Sequence, residues 1–313
     1  MGGLLAAPIS AVQANSKYPE KPISLVVAFP AGTTTDAVGR IFATELSDML
    51  GQPVIVENKP GGNATIAAKY VARAKPDGYT LFVTSNTSHS AAPWLMKNVG
   101  YDPIKDFTPI ARGGNLPFVL LVNPGVAAKT VQELVALAKE KPGSLTYASG
   151  NSTGILAGAT LGNRADIDIL HVPYRGSPQA LTDLIGGRVD LLFNDLTSSL
   201  PFIESGQVRA LAVSTADRSA IAPELPSMQE SGVKDFNLVS WNGYFGPAGM
   251  SPEVVERLNT AINEIVKKPE VRDRLAKLGF DAFSSTPAEF EEFVGGELVA
   301  WGKLIKEAGI EPQ

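Results

Sequence analysis

The chain contains two histidines, His89 and His171, and no cysteine. That composition removes the disulfide framework, thiolate metal sites and cysteine nucleophiles together. There is no His-Glu-x-x-His, no Walker loop and no dinucleotide Gly-x-Gly-x-x-Gly, and no Gly-x-Ser-x-Gly nucleophile elbow is expected. His171 sits at the end of an apolar run, where a structural histidine is the commoner outcome than a catalytic base. His89 lies in a polar segment, Ser85-Asn86-Thr87-Ser88-His89-Ser90, from which it can reach a cleft. What the chain offers in place of nucleophiles is hydroxyl and glycine residues after apolar runs. Phe29-Pro30-Ala31-Gly32-Thr33-Thr34-Thr35-Asp36 precedes a helical pattern, with Asp36 read as its N-cap. Exposed N–H groups at a helix start, flanked by threonine hydroxyls, suit a carboxylate. Ser149-Gly150-Asn151-Ser152-Thr153-Gly154 repeats the device later in the chain. Two such donor loops facing each other would hold an anion that is bound and released unchanged. The net charge of −5 is spread along the chain, so local dipoles rather than a bulk field must attract that anion.

The elements that position these loops follow a strand-loop-helix rhythm. Apolar runs at 22–28, 53–57 and 79–84 read as buried strands, separated by helical patterns at 36–50 and 64–74. The rhythm restarts with strands at 117–122, 145–148, 169–172, 189–193 and 208–214, and helices at 131–141, about 153–163 and 178–185. Helices at 252–267, 269–277 and 287–308 complete the chain. Strands alternating with helices predict α/β architecture with a parallel sheet. Crossovers near 112–117 and 235–245 predict two lobes, residues 18–115 with 240–313 and residues 116–239, with a cleft between them. Ligands sit beyond the carboxyl ends of strands in open α/β sheets, so the strand-to-helix loops should line that cleft.

At 313 residues with 44% hydrophobic and 19% charged content, the chain is of soluble globular type and long enough for two cores. No basic run tracks a phosphate backbone, which excludes nucleic acid as a partner. Gly2 to Ser10 resembles the end of an apolar export segment, and Val12-Gln13-Ala14 is a small-residue cleavage pattern. Residues 1–17 are therefore read as a residual export signal and the mature protein as periplasmic. No later segment has the ~20 apolar residues of a membrane span.

Five segments in order resemble the solute receptors of tripartite tricarboxylate transporters, the Bug-type periplasmic binding proteins. They are Tyr18-Pro-Glu-Lys-Pro-Ile with Phe29 to Asp36, Pro53-Val-Ile-Val-Glu-Asn-Lys-Pro-Gly-Gly62, and Lys75-Pro-Asp-Gly-Tyr-Thr-Leu81. The others are His171-Val-Pro-Tyr-Arg-Gly176 with Gly187-Arg-Val-Asp190, and Trp241-Asn-Gly-Tyr-Phe-Gly-Pro-Ala-Gly249. The resemblance implies a type II periplasmic-binding-protein fold, two α/β lobes closing on a ligand between them. It places a carboxylate, partly through ordered waters, against Phe29, Ala31, Gly32, Thr33, Thr34 and Asp36 in the first loop. In the second loop it points to Ser149, Asn151, Ser152 and Thr153. Ser85, Asn86 and His89, with Asn194 and Asp195, should line the rest, and His171 and Arg175 belong to a family hallmark. Three departures stand out. Thr33 replaces a frequent second glycine, the Gly150–Ile155 loop is shorter than the Gly-rich turn of many members, and Asn194 separates Phe193 from Asp195.

The resemblance implies a receptor for a small mono- or dicarboxylate, aromatic ones included, that delivers it to membrane permease subunits. No cofactor and no metal are expected, and the receptor is expected to be monomeric. Two alternatives keep the fold: a hydrolase- or isomerase-like enzyme, and a receptor that presents its ligand to a sensor kinase.

Overall fold

Short apolar runs become strands here because both faces of each are covered. A computed structural model describes residues 18–219, 221–283 and 285–312. The export-signal reading of residues 1–17 lies outside them. β1 (Ile23–Val27) is flanked by β2 (Val54–Asn58) and β3 (Thr80–Ser85), all parallel. They are joined by α1 (Thr34–Leu50) and α2 (Thr65–Ala72). Ile23, Leu25 and Val27 face one core with Val38, Phe42 and Leu46 of α1. Val26 and Ala28 face the opposite core with Ala67, Ala68 and Val71 of α2. This alternation is the period of two that a strand imposes, and buried parallel strands need apolar residues on both sides of it.

A π-turn, Thr87–Ala91, then runs into α3 (Ala92–Leu95) and the 16-residue β4 (Phe107–Val122). The second unit comprises α4 (Val131–Glu140), β5 (Leu145–Ser149), α5 (Ser152–Ala165), β6 (Ile169–Pro173), α6 (Ser177–Ile185), β7 (Leu191–Asp195), α7 (Leu196–Glu204) and β8 (Arg209–Val213). The chain returns through β9 (Val239–Pro247) to α8 (Pro252–Lys267), α9 (Pro269–Lys277), β10 (Asp281–Ala282) and α10 (Pro287–Glu307). Strand order is β2-β1-β3-β9-β4-β7-β5-β6, with β8 and β10 pairing with β4.

The sheet is mixed, where the sequence predicts parallel pairing throughout. β9 runs antiparallel to β3 and β4, and β4 antiparallel to β7 and β8. The cause is the crossovers themselves. A strand that leaves the first half and one that returns to it run in opposite directions, and both have joined the ladder. β4 pairs with β9 from Phe107↔Pro247 to Pro117↔Val239, then changes partner to β7 at Phe118↔Asp195. Two register shifts interrupt the β4–β9 ladder, one between Pro109 and Ala111 and one between Arg112 and Gly114. A Cβ at Gly114 would lie 2.3 Å from the Asp281 carbonyl oxygen, so β10 can approach only a glycine there.

In the second half Phe118, Leu120 and Val122 face one core, and Val119 and Leu121 the other. α10 touches both halves. Its Phe290 and Val294 enter a core of the first half, and its Trp301 and Ile305 a core of the second. Between them Glu297 accepts hydrogen bonds from Trp241 Nε1 at 2.9 Å and Trp301 Nε1 at 3.1 Å. Burial raises the Glu297 pKa above the ordinary carboxylate range, against those bonds and the nearby Arg112 charge.

Candidate functional site

The first loop is organised from its backbone outward. Thr33, not Asp36, is the N-cap of α1: its hydroxyl accepts from the Asp36 N–H at 3.3 Å, and the helix begins two residues earlier than the sequence suggests. Asp36 is a brace. Its carboxylate accepts from Gly32 N at 3.1 Å, Arg40 Nε at 3.1 Å and Asn58 Nδ2 at 2.8 Å. Burial would raise its pKa, but those hydrogen bonds outweigh burial and hold it below the usual carboxylate range. Ala31 and Gly32 are exposed at the loop tip, outside the residues that line the cleft.

The cleft has an inner and an outer chamber. Four helix starts meet at the inner one: Thr33–Thr35 of α1, Asn151 before α5, Gly176-Ser177 at α6, and Asp195 before α7. Each contributes the partial positive charge of its first N–H groups. The remaining wall includes Phe29, Ser85, Leu116, Phe118 and Ser240. Its free volume is about 30 Å³, room for a water or two. Among the described residues Asp195 is the only charged side chain lining it, and it is already engaged. Its Oδ1 accepts from Ser198 N at 3.1 Å, capping α7, and from the Thr34 hydroxyl of the opposite half. An incoming anion that takes the Thr34 hydroxyl would have to displace Asp195 as its acceptor.

A second bridge lies behind the first. Asn86 donates to Thr153 Oγ1 at 2.9 Å and accepts from Ser240 Oγ at 2.7 Å, joining the end of β3 to α5 and β9. Ser152 Oγ and Asn194 Oδ1 are buried with no hydrogen-bond partner among the described residues. The second loop needs glycine for proximity: a Cβ at Gly150 would lie 2.1 Å from the Ser177 backbone nitrogen. The α5 and α6 starts are thus pressed together.

The outer chamber shares Phe29, Pro30, Gly150 and Asn151 with the inner one and encloses about 480 Å³. Gly61–Ala64, Thr87, Leu95, Met96 and Pro173–Arg175 complete it. The Gly61–Ala64 turn follows β2, and its place beyond a strand's carboxyl end was the signal that could have nominated it.

Several expected contacts sit elsewhere. His89 is fully buried, stacked 4.0 Å from the Phe245 ring and 4.6 Å from that of Phe107, and does not reach either chamber. The π-turn rolls it inward, a local geometry that residue types do not announce. His171 lies on the edge strand β6, stacked on Tyr147, with Nε2 2.6 Å from Ser149 Oγ. Ser149 is consequently satisfied by His171 and lies behind Gly150 and Asn151 rather than on the chamber wall.

Gly150-Asn151-Ser152-Thr153-Gly154 also spells the Gly-x-Ser-x-Gly spacing of a hydrolase elbow, between a strand and a helix. The sequence reading overlooked it. In the structure its serine has no base: His171 bonds Ser149, and Ser152 Oγ has no partner. A nucleophile without a base in reach lacks the geometry for acyl transfer.

The family model described as the tripartite tricarboxylate transporter family receptor matches residues 38–310. A relative described as the UPF0065 protein in the tcbD-tcbE intergenic region of Pseudomonas sp. (strain P51) is 38% identical over 293 residues, covering 93% of this chain and 87% of its own length. The solved structure of R. palustris Rpa4515 with adipate superimposes with a TM-score of 0.92 at 34% identity, covering 95% of this chain and 100% of that one. The periplasmic binding protein BugD superimposes with a TM-score of 0.89 at 34% identity, again over 95% of this chain and 100% of its own.

Proposed function

The chain belongs to the tripartite tricarboxylate transporter receptor family, and from that premise we propose that it captures a small organic carboxylate for membrane permease subunits. It is a solute-binding receptor of the periplasmic type, with family and structural relatives that bind rather than transform their ligands. The proposal extends to export into the periplasm, with the apolar stretch ending at Val12-Gln13-Ala14 as the tail of the signal. The lobes would be residues 18–115 with 240–313, and residues 116–239, closing as a monomer on one acid.

One observation carries the reading. Four helix starts and the hydroxyls of Thr34, Thr35, Ser85, Ser177 and Ser240 surround a chamber that no cationic side chain among the described residues lines. Fixed dipoles of this kind attract a carboxylate and release it again without chemistry. The inner chamber's small size favours a carboxylate end reached through a bridging water, with the body of the ligand in the outer chamber. Adipate in the R. palustris relative supports a linear acid of that kind.

Thermal melts against a panel of mono- and dicarboxylates, neutral sugars and cationic amines test the reading. An acid at ~100 times its dissociation constant should add ~2.7 kcal/mol of stability, whereas sugars and amines should leave the midpoint in place. Stabilisation by sugars or amines alone would overturn it.

A further inference from the structure

We propose that the outer face of α10 is the contact between two copies of this chain, packed antiparallel about a two-fold axis. Each copy would still close alone on its own ligand, so the proposal goes beyond the receptor reading and does not depend on it. A helix turns one stripe to solvent at spacings of i+4, i+7 and i+11. In α10 that stripe is Glu292, Gly296, Val299 and Lys303, all exposed. The opposite face carries Phe290, Val294, Trp301 and Ile305 into the two halves. A helix face turned to water is ordinarily polar, and the middle of this one is not. Val299 is the most exposed large apolar side chain among the described residues, at 71%, and Ala300 beside it is exposed as well. Trp94 of α3 extends the apolar surface: it is 44% exposed and its Nε1 donates to the Leu298 carbonyl at 2.8 Å.

Charge and shape together identify the occupant. Gly302 is forced by its neighbour, since a Cβ there would lie 2.4 Å from the Trp94 ring. Gly295 and Gly296 are not forced, because a Cβ at either meets nothing within 4 Å. Adjacent glycines weaken a helix interior, and a second helix approaching closely from outside is what would require them. The ends of the stripe carry opposite charges, Glu292 toward the N-terminus and Lys303 toward the C-terminus. Within the chain Lys303 reaches Glu307 only at 3.8 Å and in water, a pairing worth little. In an antiparallel pair, setting Gly296 opposite Val299 of the second copy also sets Glu292 opposite Lys303 of that copy. One register thus seats an apolar knob in a glycine hole and forms two ion pairs. That is the self-complementarity an isologous contact needs. A parallel pair would oppose like charges.

One helix stripe and one tryptophan per copy make a small interface, so the expected dissociation constant is micromolar rather than nanomolar. Analytical ultracentrifugation of the full chain from ~1 to ~300 μM covers that range. The wild type is expected to pass from one chain to two across it, and Val299→Glu to remain a single chain throughout. Glu292→Lys and Lys303→Glu should each weaken association roughly tenfold, because each reversal sets two like-charged pairs across the axis. An equimolar mixture of those two variants should recover association, since every pair then has opposite signs again; damaged folds could not recover on mixing. Circular dichroism and melts confirm that each variant folds. A wild type that stays a single chain overturns the proposal and leaves the face to a different partner. A dimer indifferent to Val299→Glu, or a mixture that fails to recover, overturns the antiparallel α10 contact.

Discussion

Replacing Thr34 by valine is expected to weaken binding of a carboxylate ligand roughly ten- to hundredfold while leaving the fold intact. The warrant is the hydroxyl's position. Thr34 is 5% exposed at the first turn of α1, lines the inner chamber, and directs its hydroxyl across the cleft to Asp195. On the proposed reading, a ligand carboxylate, or the water it binds through, would replace Asp195 as acceptor. A hydrogen bond to a charged group contributes ~1.5–3 kcal/mol, which is that range of affinity. Valine keeps the branched shape and fills the same volume. Asp195 retains the Ser198 N–H as its partner, so stability should change by less than ~1 kcal/mol. Titration calorimetry paired with thermal melts separates the outcomes. Unchanged affinity with a lowered melting temperature would make Thr34 a purely structural link between the halves.

Acidification from pH 6.5 to pH 4.5 should remove about 2 kcal/mol of stability through His89 alone. The imidazole is wholly buried between Phe245, Phe107 and Phe82. Nδ1 pairs with Ser88 Oγ at 2.9 Å, and Nε2 has no partner among the described residues. Burial depresses its pKa to about 3. The unfolded chain, with an ordinary histidine pKa of ~6.5, therefore binds a proton that the folded chain refuses throughout that interval. Stability falls as pH falls, by about 1.4 kcal/mol per unit, until the folded pKa is reached. Urea unfolding at pH 7 and pH 4.5 on the wild type and His89→Phe isolates the effect. Phenylalanine keeps the stacking and does not titrate, and carboxylates such as Asp36 act equally in both proteins. Parallel losses in the two would show that His89 can be protonated in place.

Those two residues also mark what was legible in the sequence. Strands and helices whose apolar residues keep a clean period were readable to within a residue or two. α8 and α9 match their expected bounds, helped by Pro252 and Pro269 at their first positions. The first loop was readable as a donor site because it joins a buried strand to a helix start. The role of Asp36 was not, because its acceptors' partners, Arg40 and Asn58, lie 4 and 22 residues away. Crossing strands were the larger loss. Phe107 to Leu116 mixes glycine, proline and polar residues and carries no alternation, yet it belongs to β4 because β9 supplies its ladder. Tertiary pairing outranks local pattern there. The Gly61–Ala64 turn and Thr87 went unread for a similar reason, since they meet Arg175 only where the two halves pack together.

Titrating an acid that binds against its own primary amide tests carboxylate capture most directly. The two have nearly the same shape and differ in charge, so helix starts and hydroxyl donors should distinguish them while an apolar pocket would not. The expected result is an amide bound at least ~100-fold more weakly than the acid, from the loss of charge-assisted hydrogen bonds. An amide that binds as tightly as its acid would contradict the assignment of the converging helix starts as the carboxylate site.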